Sequence, residues 1–328
     1  MTQITFIDAI RDAIREEMRR DSRVFVMGQD IELMMWNGEA LREFGGTRIR
    51  NTPISETGFV GAGIGAALTG MRPIVELGCS TFAYSAMDQI INQAAKSRYM
   101  FGGQTSVPLL IRAPVYYGIS VAAHHSDRPW GLFAQAPGLK VIVPATPYDA
   151  KGLIKAAIRD GNPVLCLEDC TLGAQRGEVP DGDYTVPIGR ADIKYEGFDV
   201  TIVAIAAAVI HSLAAARTLK EEGISVEVVD VRSASPLDRQ TIIESVVKTK
   251  RLIVVDPAPR TCGIAAEVAA TVAERAFESL RAPVVRLTAP DIPVPYSPSL
   301  ERTIYPTAEE ITNAARRLCG KSSIPRIV

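Results

Sequence analysis

Glu56 is the acidic residue whose surroundings set it apart. In Asn51-Thr-Pro-Ile-Ser-Glu56-Thr-Gly-Phe-Val-Gly61-Ala-Gly63-Ile-Gly65-Ala-Ala67 it is the one carboxylate among small and apolar side chains. A carboxyl group removed from water resists ionising and tends to share a proton, which suits acid/base chemistry. Capping of the helix that follows is the plainer alternative for Glu56. Histidine exchanges protons near neutrality better than any other side chain, and this chain has three in 328 residues, two of them adjacent at His124 and His125. They lie in Tyr117-Gly-Ile-Ser-Val-Ala-Ala-His-His-Ser-Asp-Arg-Pro-Trp130, between apolar runs, so they belong to a loop. Loops at strand ends are where sites form in open α/β sheets; a surface or packing role for the pair is the alternative. A Ser126–His125–Asp127 triad is disfavoured, because sequence neighbours do not fold back into nucleophile, base and orienter, and no G-x-S-x-G elbow is present. His211 falls in an Ala-rich helical stretch and reads as structural.

The glycines after Glu56 match a dinucleotide fingerprint, Gly61-x-Gly63-x-x-Ala66, which binds pyrophosphate only when a strand runs straight into it and the loop opens a helix. The preceding Pro53, Ser55 and Thr57 are no strand. The spacing predicts instead a helix whose glycines allow close packing on a neighbour, ended by Gly70.

These residues must be positioned by a chain long enough for about two domains at roughly 150 residues each. With 36 basic and 37 acidic residues the net charge is -1 and no basic run stands out, so nothing in the charge balance favours nucleic acid as a partner. The N-terminus meets charge too early for a secretory signal, and the longest apolar run, Val200 to Ile210, is far shorter than the roughly 18 residues of a membrane span. A soluble, cytoplasmic protein is expected. Five scattered cysteines (Cys79, Cys166, Cys170, Cys262 and Cys319) show no C-x-x-C and read as small buried apolar side chains.

Phe6, Ile7, Ile10, Ile14 and Met18 have helical spacing, with Thr5 and Asp8 placed to cap the start. Strands are predicted at Val24–Met27, Pro73–Leu77, Val107–Ile111, Lys140–Val143 and Pro163–Leu167, with helices near Ala86–Arg98 and Asp149–Asp160. Glycine and proline crowd the tract from Leu172 to Gly197, a linker or irregular excursion. Beyond it, strands near Val200–Ala204, Val226–Val231, Leu252–Asp256 and Val284–Leu287 alternate with helices near Ile210–Glu222, Arg239–Lys248, Ala265–Leu280 and Ala308–Leu318. The alternation predicts an α/β chain of two domains, each a mostly parallel sheet covered by helices.

Thr52-Pro-Ile-Ser-Glu56, Arg72-Pro-Ile-Val-Glu76, Asp88-Gln-Ile-Ile-Asn-Gln-Ala-Ala-Lys96, Arg98-Tyr99, His125-Ser126, Pro137-Gly-Leu-Lys-Val141, Tyr148-Asp-Ala-Lys-Gly-Leu153, Ala157-Ile-Arg-Asp160, Pro236-Leu-Asp238 and Pro293-Val-Pro-Tyr296 fall in one order. In series they closely resemble the beta subunit of the thiamine-diphosphate-dependent, decarboxylating component of 2-oxo acid dehydrogenases, a transketolase-like family that includes pyruvate, branched-chain and acetoin dehydrogenases. The match runs from about residue 4 to residue 318.

The resemblance implies a pyrimidine-binding domain at residues 1–180, a linker at 181–198 and a transketolase C-terminal domain at 199–328. It implies that Glu56 hydrogen-bonds the aminopyrimidine ring of thiamine diphosphate and that His125 faces the reacting carbon. Phe82 matches an aromatic residue that packs on the pyrimidine, beside an ordinary core role. Leu109, Ala157, Ile158, Asp160 and Asn162 match positions that hold potassium in some members, several through backbone carbonyls suited to a hard cation. The diphosphate needs magnesium, held in the family by Gly-Asp-Gly and a later asparagine. The only approach to it here is Asp181-Gly-Asp183 in the Gly/Pro-rich tract, so magnesium and the diphosphate are assigned to a separate alpha subunit, in a heterotetramer of two alpha and two beta chains.

Three stretches depart from the family pattern: Gly28 to Gly38, Asp127-Arg128 after His-Ser, and Glu168-Asp-Cys170. They leave the substrate open. The implied function is an oxidative 2-oxo acid (pyruvate-like) or acetoin dehydrogenase subunit passing an acyl group to the lipoyl group of an acyltransferase. The alternatives are a two-subunit carboligase releasing an acyloin or diketone without a lipoyl partner, and a noncatalytic scaffold, which intact Glu56 and His125 argue against.

Overall fold

The computed structural model describes residues 1–31 and 38–320; of the divergent Gly28–Gly38 stretch, positions 32–37 lie outside the described residues. The chain folds as two compact units, Met1–Ile188 with Ala234–Pro236, and Gly189–Ser233 with the chain from Leu237 onward.

The first unit opens with β1 (Thr2–Thr5) and the helix Phe6–Arg20. Thr5 caps that helix, its hydroxyl accepting from the Asp8 amide at 3.2 Å, as its sequence position predicts. The apolar stripe Phe6, Ile10, Ile14 and Met18 is fully buried. Then come β2 (Val24–Gly28), β3 (Ile49–Asn51), β4 (Arg72–Glu76), β5 (Leu110–Val115), β6 (Lys140–Ile142) and β7 (Val164–Asp169). These strands pair in parallel. Ile74, Val75, Ile111 and Leu165 have no exposed surface, as parallel strands buried on both faces require. β8 (Arg176–Val179) returns antiparallel to β1.

In the second unit β9 (Asp192–Tyr195), β10 (Val200–Ala204) and β11 (Val226–Asp230) come first. β12 (Ser233–Ser235) then leaves to take the outer place in the seven-stranded sheet of the first unit, whose order is β12-β6-β7-β5-β4-β2-β3. β13 (Leu252–Pro259) and β14 (Val285–Ala289) complete a five-stranded sheet of order β14-β13-β10-β11-β9. Its helices are Ala208–Glu221, Arg239–Thr249, Ile264–Arg275 and Ala308–Leu318, close to the predicted spans. The Gly/Pro-rich tract is less irregular than its composition suggests. It carries β8 and β9, and β9 is an edge strand antiparallel to β11, a place where a short strand tolerates polar neighbours.

Two local expectations change. The stretch predicted as one helix near Ala86–Arg98 is a 3-10 turn at Ser80–Ala86, a π-helical segment at Asp88–Ala94 and a helix at Ala95–Met100. Of Gly61, Gly63 and Gly65 in the helix Glu56–Leu68, only Gly63 is needed for close approach: a Cβ there would come within 2.6 Å of Val75 Cγ2, whereas Gly65 faces open space. Gly61 and Gly63 lie inside the helix and not in a loop before it, which removes the geometry a pyrophosphate needs. Gly63→Ala is expected to destabilise by about 1–2 kcal/mol, since forcing a methyl against a β-strand valine outweighs the gain in helix propensity. Urea unfolding measures it, and a stabilised variant would show that helix and strand separate freely. Among the described residues no helix is long and apolar enough to cross a membrane.

Candidate active site

Three parallel strands deliver the predicted site residues beyond their C-terminal ends. β3 leads to Glu56, β4 to the turn Ser80–Ala86 with Phe82, and β5 to the loop carrying His125. This is the edge where open α/β sheets bind ligands.

Glu56 is the first residue of its helix and is half-buried. No described residue hydrogen-bonds its carboxylate, and Ile54 beside it is 78 % exposed. The apolar enclosure expected around Glu56 is therefore incomplete in the lone chain. Its neighbour Thr57 donates to the Ser85 carbonyl at 2.7 Å, tying the helix start to the Phe82 turn. Phe82 in turn meets His125 edge-on, with ring centroids 5.6 Å apart and planes at 72°.

The His125 loop is pinned to that turn by Ser80, whose hydroxyl donates to the Asp127 carbonyl at 2.9 Å. Ser120 and Ala122 adopt φ of 61° and 66°, costly for residues with a Cβ and sustained where surrounding contacts dictate the conformation. Ser126 is fully buried and donates to the Ala122 carbonyl at 2.6 Å, so it is a loop brace and not a nucleophile. Arg128 is buried too, donating to the Ser126 carbonyl at 2.7 Å with its guanidinium 5.4 Å from the centre of the Tyr117 ring. His124 is exposed, as is His211 on the surface of its own helix.

A cavity of about 430 Å³ opens between the Thr81–Tyr84 turn and Ala123, His124, His125 and Asp127. On its wall the Tyr84 hydroxyl donates to Asp127 Oδ2 at 2.9 Å. Burial and then the Asp127 charge push the Tyr84 phenol well above its ordinary range, so it stays protonated and remains a donor. Burial likewise raises Tyr116 to about 12 and pushes the Cys170 thiol up. Cysteine burial is uneven: Cys79 and Cys166 are buried as expected, but Cys262 is exposed.

Beneath the site, Arg112 on β5 donates Nε and Nη2 to Glu168 on β7 at 2.5 and 2.6 Å and Nη1 to Glu76 on β4. All three are at most 4 % exposed. In the sequence Glu76 and Glu168 stand out only as parts of longer strings, and Arg112 does not stand out. The available signal was a charged residue near the C-terminal end of three apolar strand runs.

The five residues matched to a potassium site lie elsewhere. Leu109 precedes β5 and Asp160 and Asn162 precede β7, which puts them at the opposite edge of the sheet from Glu56. There the Arg72 guanidinium donates to the carbonyls of Ile158 at 2.7 Å and Asp160 at 3.0 Å, and Lys140 pairs with the Asp160 carboxylate. The Leu109 carbonyl accepts from the Val164 amide at 2.9 Å and that of Ala157 from the Asp160 amide at 3.2 Å, while Asn162 Oδ1 accepts from Arg98. The Asp181-Gly-Asp183 string is also engaged in structure. Asp181 takes the N-terminal ammonium and the Thr2 hydroxyl, and Asp183 pairs with Lys155 and Arg159.

Residues 2–171 match the family model "Transketolase, pyrimidine binding domain" and residues 189–311 match "Transketolase, C-terminal domain". The chain is 45 % identical to acetoin:2,6-dichlorophenolindophenol oxidoreductase subunit beta of Bacillus subtilis, with 98 % of each chain covered. It is 44 % identical to the pyruvate dehydrogenase E1 component subunit beta and 43 % identical to the 2-oxoisovalerate dehydrogenase subunit beta of the same organism, each over 97 % of this chain and 99 % of the relative. A solved structure, "Split gene transketolase, inactive beta4 tetramer", shares the fold with a TM-score of 0.80 at 24 % identity, covering 97 % of this chain and 98 % of that one. With the site at the C-terminal edge of a pyrimidine-binding-type domain, and relatives of this identity over nearly its whole length, the chain belongs to the beta subunits of the thiamine-diphosphate-dependent 2-oxo acid and acetoin dehydrogenases, which work with an alpha subunit.

Proposed function

We propose that this chain, with an alpha subunit in an assembly of two alpha and two beta subunits, cleaves a 2-oxo acid or acetoin and passes the acyl group to a lipoyl group. The observation that carries the proposal is a half-buried Glu56 carboxylate, partner-free among the described residues, held on one strand edge with the Phe82–His125 ring pair.

The residues present fit the pyrimidine half of thiamine diphosphate. Glu56 has its lone pairs available for a ring N–H, and Phe82 offers an aromatic face beside the 430 Å³ cavity. Bound there, the cofactor supplies the carbon nucleophile and electron sink that amino-acid side chains lack. Glu56 then holds and returns a proton at the ring nitrogen, and His125 moves protons at the substrate oxygen on the cavity side. Exposed Ile54 and the half-open Glu56 leave one side for an alpha subunit to cover, and excluding water there strengthens the hydrogen bond to Glu56.

Magnesium and the diphosphate are assigned to the alpha subunit: Asp181 and Asp183 hold β1 and the helix Pro147–Arg159 in place, and the described residues contain no cluster of His, Cys, Asp or Glu fit to hold a metal. At the five positions matched to potassium, Arg72 and Lys140 already bring positive charge to Ile158 and Asp160, so these residues as arranged do not fit that ion.

The reconstituted pair, given thiamine diphosphate, magnesium and acetoin or a 2-oxo acid, is expected to acylate an isolated lipoyl domain, detected by mass spectrometry. Turnover that releases acyloin or diketone with no acylation of any lipoyl domain would replace this reading with the carboligase.

A further inference from the structure

Asp127 stands two residues after His125 and lines the same cavity, exposed at its surface. One of its oxygens, Oδ2, accepts from the Tyr84 hydroxyl at 2.9 Å. The other takes no hydrogen bond from a described residue. Its backbone carbonyl accepts from Ser80, which sets where the residue stands on the wall, and the Tyr84 hydroxyl is the contact that holds its side chain there. No lysine or arginine lines the cavity. The adjacent Arg128 is turned inward, 4 % exposed, against Tyr117 and the Ser126 carbonyl. Tyr84 contributes a neutral donor, because burial keeps its phenol protonated. Among the described residues the cavity wall therefore offers a carboxylate with an open acceptor oxygen, faced by the imidazoles of His124 and His125 and by no lysine or arginine.

A 2-oxo acid carries a carboxylate and only acceptor oxygens, so it meets this wall with like charge and no proton to give. A hydroxy ketone is uncharged and carries a hydroxyl that can donate to Asp127 Oδ1. We propose that Asp127, positioned by Tyr84 and Ser80, is a specificity-determining residue that selects an uncharged vicinal hydroxy ketone over a 2-oxo acid anion. The assignment rests on the functional reading above and narrows its substrate class.

The test uses the enzyme reconstituted with its alpha subunit, thiamine diphosphate and magnesium, with acetoin, pyruvate and 2-oxoisovalerate as the substrates compared. The wild type is expected to show kcat/KM for acetoin at least about tenfold above that for either acid, the scale of one like-charge contact in a partly hydrated site. Asp127→Asn is expected to shift that ratio toward the acids by about tenfold, chiefly through KM. Raising the salt concentration is expected to lower KM for the acids in the wild type and not in Asp127→Asn. If Asp127→Asn does not fold, the wild-type ratio and its salt dependence decide alone. A wild type that prefers an acid, or a folded Asp127→Asn with an unaltered ratio, overturns the assignment. Glu56→Gln separates the two levels: a preference for acids with Glu56→Gln inactive removes only the role of Asp127, whereas full activity of Glu56→Gln removes the functional reading itself.

Discussion

Glu56→Gln, reassembled with the alpha subunit and saturated with thiamine diphosphate and magnesium, is expected to lose about 10²–10⁴ in kcat, the usual contribution of a positioned acid/base group. Glutamine matches glutamate in size and still accepts a hydrogen bond, but it cannot take up and return a proton. The loss should therefore appear in kcat with little change in assembly. Stability should move by less than about 0.5 kcal/mol, because the carboxylate is half-exposed and bonded to no described residue. Steady-state kinetics beside a thermal unfolding curve measure both. A variant with wild-type kcat would show that Glu56 merely opens its helix.

Arg112→Met is expected to cost about 3–5 kcal/mol, because it leaves Glu76 and Glu168 buried together with no cation between them. Whole proteins have margins of about 5–15 kcal/mol, so this single change removes a large share of the reserve. Replacing the trio together, as Glu76→Leu, Arg112→Met and Glu168→Leu, is expected to recover most of the loss, since an apolar set of similar volume needs no desolvated charge. Urea denaturation of the single and triple variants decides the matter, and a single variant within about 1 kcal/mol of wild type would mean the carboxylates find other partners. Glu76 ends β4, just before the Phe82 turn, so the single variant should also lose activity ahead of global unfolding.

Much of the scaffold was legible in the chain because its signals are local. Thr5 caps its helix where an N-cap residue would be sought, and the runs at β2, β10, β11 and β13 are strands because strands buried on both faces are mostly apolar, even where β11 buries Glu227 and Asp230. The tract after Leu172 was harder to read: glycine and proline mark turns, yet β8 and β9 form within it because their partners, β1 and β11, lie far away in sequence. The segment after Ser80 misled for a related reason, since helical spacing does not distinguish 3-10, π and α turns.

The sequence alone determined the two-domain α/β plan and the loop nature of His125, which follow from periodicity and composition, whereas the apolar enclosure it led one to expect around Glu56 is incomplete, with Ile54 78 % exposed. The tertiary structure decided which of those residues meet. Strand order places β5 between β4 and β7, so Arg112 can bind Glu76 and Glu168 although 36 and 56 residues separate them. The same order sends Glu56, Phe82 and His125 to one edge of the sheet and Asp160 with Arg72 to the other, and it brings Tyr84 onto Asp127. Contacts of this kind depend on sheet order and on the direction in which each strand ends, and neither is written in any local pattern of residues.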